Sequence, residues 1–315
     1  MISKNRYILT LSCRDARGIV AAVSGFLAEN GGFIIESAQF GDASTGQFFL
    51  RIEFSLEISI FCHPREGGDL NEERKDSRLR GNDTVCIKEN PEEIRQKFSS
   101  QVAEKFAMTW EIADKSRKSR VLIMVSKFGH CLNDLLYRYK TEQLSIKIPA
   151  IISNHNDFAD VAKWHDIPFF HLPVTAGNKS AQEAEILKII NEQKIDVVVL
   201  ARYMQILSPA LCTTLSGRVI NIHHSFLPSF KGAKPYAQAF DRGVKLIGAT
   251  AHYVTTDLDE GPIIEQEVAR VDHTYQADDL AAIGRDTECA VLARALKYHT
   301  EHRVLINGKK TVVFK

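Results

Sequence analysis

The residues best suited to chemistry lie close together after Gly217, in the segment R-V-I-N-I-H-H-S-F-L-P-S-F. Asn221, His223 and Ser225 alternate along a predicted strand, so we expect their side chains on one face and that of His224 on the other. An Asn and a His at the carboxyl end of a buried strand can both donate hydrogen bonds to one developing oxyanion. An equally open interpretation is that these two side chains only satisfy backbone groups of the following loop.

A metal site in this segment is disfavoured by the pattern itself. Adjacent histidines on a strand point to opposite faces, and no Asp or Glu lies at ligand spacing. The six cysteines are scattered and contain no C-x-x-C pair. We therefore expect neither a metal centre nor a disulfide framework.

A second segment, G-A-T-A-H-Y-V-T-T-D-L-D-E-G-P-I-I, is predicted to form a strand, a turn and another strand. Asp257, Asp259 and Glu260 crowd the turn. A crowded, partly buried carboxylate can have a raised pKa, which would suit a proton-transfer role. Because Asp is also a common turn residue, a solvated turn explains Asp257 and Glu260 taken alone.

These segments follow a regular alternation of predicted elements. Between residues 121 and 254, apolar β-branched runs such as I-D-V-V-V-L (Ile195–Leu200) alternate with amphipathic helices such as Ser180–Gln193. The alternation predicts a doubly wound, mostly parallel sheet with helices on both faces. In such sheets ligands bind beyond the carboxyl ends of the strands, where Asn221 and His223 lie.

The first 115 residues follow a different pattern. A strand (Tyr7–Ser12), a helix (Ile19–Asn30) and a predicted hairpin (Gly32–Phe40 with Gln47–Phe54) come first, and a helix (Pro91–Phe106) and a last strand follow. This order predicts a small ferredoxin-like α+β domain. The charged stretch D-K-S-R-K-S-R separates it from the second part, so we expect domains at 1–115 and 116–315.

A highly charged insertion interrupts the first predicted domain at about residues 62–88. In its centre, His63–Asp83, eleven of 21 residues are charged and only two are aliphatic. Such a stretch cannot bury enough apolar surface to offset its ordering entropy, so we expect a disordered or loosely helical surface segment. A basic arm for RNA is disfavoured because the charges are mixed in sign.

The overall charge and hydropathy exclude two classes of protein. The 315 residues include 40 Lys and Arg against 39 Asp and Glu, so nothing in the charge favours nucleic acid as a partner. No apolar run reaches the roughly 18 residues that span a bilayer, and the N-terminus lacks the apolar core of a secretory signal. We expect a cytoplasmic protein without membrane or nucleic-acid partners.

The combined motifs resemble a known family. N-I-H-x-S-x-L-P-S-F, followed about 36 residues later by D-x-D-x-G-x-I, is similar to the formyltransferases that use 10-formyltetrahydrofolate. The segment L-A-R-Y-M-Q-I-L-S-P (Leu200–Pro209) resembles the folate-binding strand and loop of that family. The N-terminal segment resembles an ACT regulatory domain, and an ACT domain ahead of these motifs is similar to the formyltetrahydrofolate deformylase branch.

The resemblance implies hydrolysis of 10-formyltetrahydrofolate to formate and tetrahydrofolate, which would supply formate for purine synthesis and balance one-carbon pools. It implies Asn221, His223 and Asp259 as catalytic residues, with Asp259 either deprotonating water or setting the charge of His223. No cofactor is expected, because the folate is the substrate. The implied folate-binding residues are Leu200, Tyr203, Met204, Gln205, Ile206, Leu207, Val219, Val254 and Leu258. Gln205 stands where the family often has Arg, so we expect a weaker contact with the folate glutamate tail.

The ACT-like segment implies an amino-acid effector, glycine or methionine, bound near Arg14 and Gly18 at the start of the first helix. Gly18 could instead only close a tight turn. ACT-like domains pair through their sheets, so we expect a homo-oligomer.

Two other functions were considered. Formyl transfer to an amine such as glycinamide ribonucleotide would use the same three catalytic residues, but it needs a glycine-rich phosphate loop, and Val125–Asp134 contains only Gly129. An amino-acid-binding protein without activity would leave the catalytic motifs without a role.

Overall fold

The protein is described here by a computed structural model, which defines residues 5–56, 60–61, 85–86, 91–175, 177–227 and 235–315. The chain divides into two compact units, residues 1–116 and 117–315. Within the described residues, no helix is both long enough and apolar enough to cross a membrane.

The first unit is built on a four-stranded sheet in the order β2-β3-β1-β6, in which all neighbouring strands are antiparallel. Its elements are β1 (Asn5–Arg14), α1 (Ile19–Glu29), β2 (Gly32–Asp42), β3 (Gln47–Leu56), the short strands β4 (Ile60–Phe61) and β5 (Val85–Cys86), α2 (Pro91–Phe98) and β6 (Thr109–Asp114). Apolar residues of α1 and α2, such as Phe26 and Phe98, pack on alternate residues of β1 and β3. This confirms the predicted ferredoxin-like α+β fold.

The predicted second helix, Pro91–Phe106, is helical over its whole length but changes type. After α2 the chain continues as a π-helical turn, Ser99–Ala103, and a 3₁₀ turn, Glu104–Phe106. Apart from Val85–Cys86, the predicted charged insertion at 62–88 lies outside the described residues, so its expected disorder stays a prediction.

The second unit is built on a seven-stranded sheet in the order β13-β12-β11-β10-β7-β8-β9. Its strands are β7 (Ser119–Val125), β8 (Ile146–Ser153), β9 (Phe169–His171), β10 (Val197–Leu200), β11 (Val219–His223), β12 (Leu246–Tyr253) and β13 (Ile263–Arg270). The first five are parallel to their neighbours, and β12 and β13 add two antiparallel pairings at one edge. The sheet is therefore mostly parallel, as predicted.

Helices cover both faces of this sheet. They are α3 (His130–Lys140), α4 (Ala159–Trp164), α5 (Lys179–Glu192), α6 (Pro209–Thr214), α7 (Pro235–Asp241) and α8 (Ala277–Thr300). Alternate residues of β7 separate the two cores: Val121 and Ile123 pack with α3 and α8, whereas Leu122 and Met124 pack with α5 and α6. The long helix α8 and the C-terminal hairpin, β14 (Val304–Asn307) with β15 (Lys310–Val313), were not predicted.

The strand order reverses at β7, which has β8 on one side and β10 on the other. Beyond the carboxyl ends of these strands, Met204 N donates to Ser126 Oγ at 3.0 Å, and Ser126 N donates to Arg202 O at 3.3 Å. These bonds fix the segment that follows β10 against the end of β7. In open α/β sheets this is the position of ligand sites.

Candidate active site

Asn221 and His223 lie on the carboxyl-terminal half of β11, where β10 and β12 pair with it on either side. Asn221 is opposite Leu200 of β10 and opposite His252 of β12. Directly opposite residues of an antiparallel pair share a face, so the side chains of Asn221 and His252 meet. Asn221 Nδ2 lies 3.2 Å from His252 Nε2.

Asp259 reaches the same place from the turn after β12. Its backbone is left-handed, with φ of 57°. The turn then returns so close to β12 that a Cβ on Gly261 would lie 1.7 Å from the carbonyl oxygen of Tyr253, so only glycine fits there. This geometry places Asp259 Oδ2 3.3 Å from His223 Nδ1, and Oδ1 3.7 Å from His252 Nε2.

We call Asn221, His223, His252 and Asp259 the Asp259 cluster. Hydrogen bonds from His223 and, second, from His252 hold the pKa of Asp259 well below its ordinary value, against the smaller opposing effect of burial. The expected raised pKa of this carboxyl is therefore wrong, because two imidazoles face the carboxylate. An ionised Asp259 accepts the hydrogen of His223 Nδ1 and so directs the other ring nitrogen, Nε2, away from itself.

The other ring nitrogen of His223 has no protein partner. Nε2 is buried and makes no hydrogen bond within the described residues. His252 differs, since its Nδ1 donates to the carbonyl of Tyr253 at 2.9 Å and its Nε2 faces Asn221 and Asp259. Among the two histidines, His223 is thus the one with a hydrogen-bonding position left for a ligand.

A cavity of about 260 Å³ opens over this cluster. That volume is slightly below the roughly 300–1,000 Å³ usual for small-molecule sites. All three predicted catalytic residues line it. Eight of the nine predicted folate-binding residues line it as well: Leu200, Tyr203, Met204, Gln205, Ile206, Leu207, Val254 and Leu258.

Three expectations about individual side chains need correction. Val219 does not line the cavity; it is buried in the core behind it with Leu200 and Leu211. Ser225 also lies outside the cavity wall, because β11 ends at His223 and the alternation stops there. For the same reason His224, which was expected on the opposite face, lies in the bend after the strand and does line the cavity.

Sequence reasoning missed several residues of the cavity wall, among them the imidazole of His252 and the guanidinium of Arg202. His252 could have been identified, since it lies on the predicted strand before the turn that carries Asp259, and alternate residues of a strand point to one face. Arg202 could have been identified too, as a single cation in the apolar run L-A-R-Y-M. The other missed residues of the wall are Cys212, Ile222 and Thr255, whereas Thr256 and Asp257 belong to the loop that the family resemblance implies at the folate ring.

A second polar cluster combines residues of α3, α7 and α8 with one residue of the segment after β10. We call His130, Arg202, Tyr236 and Glu288 the Glu288 cluster. Glu288 Oε2 is 2.8 Å from His130 Nε2, Tyr236 donates its hydroxyl to Oε1 at 2.6 Å, and Arg202 Nη1 lies 3.4 Å from Oε2. Burial raises the pKa of Glu288, but these hydrogen bonds and the charge of Arg202 outweigh it and lower the pKa overall.

Among the described residues, one group, His130, Cys131 and Glu288, has its ligand atoms within 4.8 Å of one another, as a metal site would require. The Glu288 carboxylate, however, already accepts two hydrogen bonds, and the guanidinium of Arg202 lies beside it. A cation placed there would meet the charge of Arg202, so this group does not suit a metal.

The predicted effector residues lie in the first unit. Arg14 ends β1 and Gly18 precedes α1 with φ of 90°, in the left-handed region. The carbonyl of Gly18 accepts the first helical hydrogen bond, from Ala22 N at 2.9 Å. A Cβ at Gly18 would meet nothing within 4 Å, so its conformation, and not its small size, is what favours glycine.

Comparisons with known proteins identify the family of the chain. The formyl transferase family model matches residues 119–296. The chain is 45% identical over 315 residues to formyltetrahydrofolate deformylase of Corynebacterium sp. (strain P-1), covering all of both chains. It is similar to the crystal structure of formyltetrahydrofolate deformylase from Burkholderia mallei, with 48% identity and a TM-score of 0.85, over 99% of this chain and 100% of that one.

A glycinamide ribonucleotide transformylase from Symbiobacterium toebii is a more distant structural relative, at 27% identity and a TM-score of 0.60. The match covers 95% of that chain but 63% of this one. The deformylase relatives, in contrast, match both units. The chain therefore belongs to the formyltetrahydrofolate deformylases, within the formyl transferase family.

Proposed function

We propose that this chain hydrolyses 10-formyltetrahydrofolate to formate and tetrahydrofolate, with Asn221, His223 and Asp259 as its catalytic residues. A water oxygen bonds to the formyl carbon and the bond from that carbon to N10 breaks. One water proton passes to N10, and the formic acid loses its own proton to solvent. The observation that carries the proposal is the unpartnered Nε2 of His223 in the cavity wall, while its Nδ1 faces Asp259.

The attack of water creates a tetrahedral oxyanion that needs hydrogen-bond donors. Asn221 and His223 share the cavity wall, so an amide N–H and the Nε2–H of a protonated His223 can reach one oxygen. Donors placed in advance of the reaction stabilise such an oxyanion without reorganisation, and each is worth about 10²–10³ in rate. His252 contacts both Asn221 and Asp259 and so positions this pair.

The electrostatics of Asp259 support one of its two implied roles over the other. A carboxylate whose pKa is held well below its ordinary value is a weak proton acceptor, which argues against Asp259 as the base that deprotonates water. The same ionised carboxylate lies 3.3 Å from His223 Nδ1 and provides the negative charge next to that imidazole. We therefore assign Asp259 the role of setting the charge of His223.

In this proposal the folate ring occupies the cavity between the segment after β10 and the turn that carries Asp259. Leu200, Tyr203 and Leu207 form the buried apolar side, and Met204 and Ile206 form an exposed rim. Gln205 lies between these two rim residues. An amide there provides no charge for the glutamate tail, so we propose a weaker tail contact than an Arg would make.

One observation favours hydrolysis over formyl transfer to glycinamide ribonucleotide. The turn before α3, where a transferase needs a glycine-rich phosphate loop, has Gly129 as its only glycine. The position of a Cβ at Gly129 is already taken by the ring of Phe158, 2.3 Å away. This glycine therefore makes room for an aromatic side chain and not for a phosphate.

The test is an assay of formate release from 10-formyltetrahydrofolate, with and without glycinamide ribonucleotide. We expect formate at the same rate in both conditions. Formylation of the amine without formate release would contradict the proposal in favour of the transferase, and no turnover in either condition would contradict both.

We further propose that the first domain, residues 1–115, is an ACT regulatory domain that senses glycine or methionine near Arg14 and Gly18, with the catalytic domain at 116–315. Free N–H groups at the start of α1 suit the α-carboxylate of an amino acid.

The edge strand β2 exposes Phe33, Ile35 and Phe40, which supports pairing with a second copy in a homo-oligomer. As the deformylase resemblance implies, the enzyme would act in the cytoplasm, supply formate for purine synthesis and balance one-carbon pools.

The regulatory proposal is tested by titrating formate release with each amino acid in the parent and in Gly18→Val. Couplings of about 1–3 kcal/mol are typical, so we expect a several-fold change in activity that Gly18→Val removes. Gly25→Ala, within α1 and with open space around its Cβ, is the matched control. An unchanged activity and thermal stability with every amino acid would contradict the sensor.

A further inference from the structure

Arg202 is a buried cation whose hydrogen-bonding capacity the protein leaves largely unused. It is 8% exposed and lines the same cavity as Asn221 and His223. Within the described residues, its Nε and Nη1 have no hydrogen-bond partner. An unpaired buried donor costs about 1–3 kcal/mol, and more in a charged group, so its presence at a cavity wall calls for a ligand.

The nearby carboxylate does not satisfy Arg202. Glu288 accepts close hydrogen bonds from His130 and Tyr236, at 2.8 and 2.6 Å, while Arg202 Nη1 lies 3.4 Å away. This separation compensates the charge of Arg202 but is beyond the usual range of 2.7–3.2 Å for N–H···O bonds. Glu288 therefore compensates the charge of the guanidinium while Nε and Nη1 remain without a hydrogen bond.

The backbone of Arg202 is also held in an uncommon conformation. Its φ is 63°, in the left-handed region where a glycine would lie without strain. Phe128 covers one side of the guanidinium, with its ring centre 5.6 Å from Cζ. The chain therefore places an arginine side chain at a position that its backbone does not favour.

We propose that Arg202 binds the formate product, as the carboxylate receptor of the active site. This inference rests on the proposed function, since only hydrolysis makes a carboxylate; transfer of the formyl group to an amine would make a neutral amide. The guanidinium provides paired N–H donors that match the two oxygens of a carboxylate. It would also favour the negative charge that builds on the formyl oxygens as the C–N10 bond breaks.

The surroundings of Arg202 suit an anion of this kind. The ring of His224 lies 5.3 Å from that of His223 and lines the same cavity. Burial and, second, the charge of Arg202 lower the pKa of His224 to about 4, so His224 is neutral at physiological pH. Arg202 is thus the permanent positive charge on this part of the cavity wall.

Burial distinguishes formate from the other carboxylates that the substrate carries. The folate glutamate tail is large and strongly hydrated, so it suits the rim, where Met204 and Ile206 are 53% and 61% exposed. Arg202 is 8% exposed and lines the cavity together with the Asp259 cluster, so it suits a small carboxylate better than a hydrated tail. The two sources of carboxylate can be separated by using formate and L-glutamate as probes.

The experiment measures thermal unfolding of the full chain, without folate, over a titration of sodium formate, with sodium chloride and sodium L-glutamate at equal concentration as controls. The variants are Arg202→Gln, Arg202→Lys and Glu288→Gln, with circular dichroism to check that each is folded. Formate release from 10-formyltetrahydrofolate is measured separately in the parent.

We expect saturable stabilisation of the parent by formate beyond that by chloride or glutamate. The formate affinity should fall at least about tenfold in Arg202→Gln, since hydrogen bonds to charged groups are worth about 1.5–3 kcal/mol. It should fall less in Arg202→Lys, which keeps the charge but loses the paired donors. Glu288→Gln should bind formate at least as tightly as the parent, because the competing carboxylate is gone. If Arg202→Gln does not fold, the contrast between Arg202→Lys and Glu288→Gln decides.

Several results would overturn the inference: Arg202 variants that bind formate like the parent, a parent stabilised no more by formate than by chloride, a preference for glutamate, or an equal loss of affinity in Glu288→Gln. If the parent releases formate but fails these tests, the proposed function stands without the formate site. If it releases none, the proposed function itself fails.

Discussion

The Asp259 cluster and the Glu288 cluster each surround one carboxylate with histidine and other donors. They differ in how closely the protein contacts that carboxylate and how far it is buried. The side chain of Glu288 is 1% exposed, and its close contacts are 2.6 and 2.8 Å. That of Asp259 is 18% exposed, and its two imidazole contacts are 3.3 and 3.7 Å. Glu288 is thus saturated by the protein, whereas the Asp259 cluster leaves His223 Nε2 for a ligand. The comparison indicates that an unfilled hydrogen-bonding position, more than a buried charge, marks the proposed reactive site; in the Glu288 cluster it is Arg202, on the cavity wall, that has such positions.

The largest expected effect tests the reactive side of this comparison. Asp259→Asn should keep the fold and folate binding but lower formate release by about 10²–10⁴, because His223 loses the carboxylate that sets its charge. Formate release and folate binding are measured together. Glu260→Gln, on a neighbouring side chain outside the cavity wall, is the matched control. Near-normal turnover in Asp259→Asn would contradict a catalytic role of the Asp259 cluster, and the two clusters would then no longer differ in function.

The next effect tests the saturated side. Glu288→Gln should lower the free energy of unfolding by about 3 kcal/mol, since it leaves the buried Arg202 without its compensating charge. Turnover of the folded variant should fall less than in Asp259→Asn. Urea unfolding and formate release provide the two readouts. A variant as stable as the parent would show that the Glu288 cluster does not contribute to folding as its contacts imply.

His224 lies between the clusters and should determine part of the pH dependence of stability. Its folded pKa of about 4 lies below the ordinary value of 6.5, mainly because of burial and then the charge of Arg202, with His223 acting in the same direction and Glu288 and Asp259 opposing. The unfolded chain then binds more protons, so stability is complete above pH 6.5 and falls as the pH drops towards 4.

The gap between the two pKa values of His224 corresponds to a loss of about 3 kcal/mol at most. Urea unfolding at pH 7.5, 5.5 and 4 should therefore give a shallower decline for His224→Gln than for the parent. Some decline should persist, because burial also lowers the pKa of His299 to about 4. Identical pH profiles would show that His224 is no more buried than in the unfolded chain.

The smallest effect concerns the packing behind the Glu288 cluster. A Cβ on Gly284 would lie 2.1 Å from the ring of Tyr236, so Gly284→Ala should displace this ring and destabilise the protein by about 1–3 kcal/mol. Thermal unfolding measures the effect, and Gly25→Ala, which meets nothing within 4 Å, should be neutral or slightly stabilising. If Gly284→Ala were as stable as the parent but no longer released formate, the packing around Tyr236 would affect the Asp259 cluster more strongly than the contacts indicate.

Much of the fold and of the candidate site followed from the sequence because the signals were local. Runs such as I-D-V-V-V-L predicted parallel strands, and Asn221 and His223 were identified on one strand. Helix α8 was not identified, since Gly284, Thr287 and Glu288 lie at buried positions and interrupt its apolar stripe.

His252 and Arg202 were missed for another reason. Their importance comes from pairing and burial, which bring residues more than 30 positions apart, such as Asn221 and His252, into contact. The low pKa of Asp259 likewise depends on two histidines that approach it from two different strands. The sequence marks His252 and Arg202 only locally, as a histidine on a strand and a single cation in an apolar run; the groups that they meet are visible only after the chain is folded.

The ring of Phe158 over Gly129 has a consequence for redesign. To convert this hydrolase into an enzyme that accepts a phosphorylated amine, a phosphate would have to occupy the space that the aromatic ring now fills. A substitution of Gly129 alone would collide with that ring, and a smaller residue at 158 alone would leave a hole in the packing. Residues 129 and 158 therefore have to be redesigned together, because either change alone disturbs the contact between them.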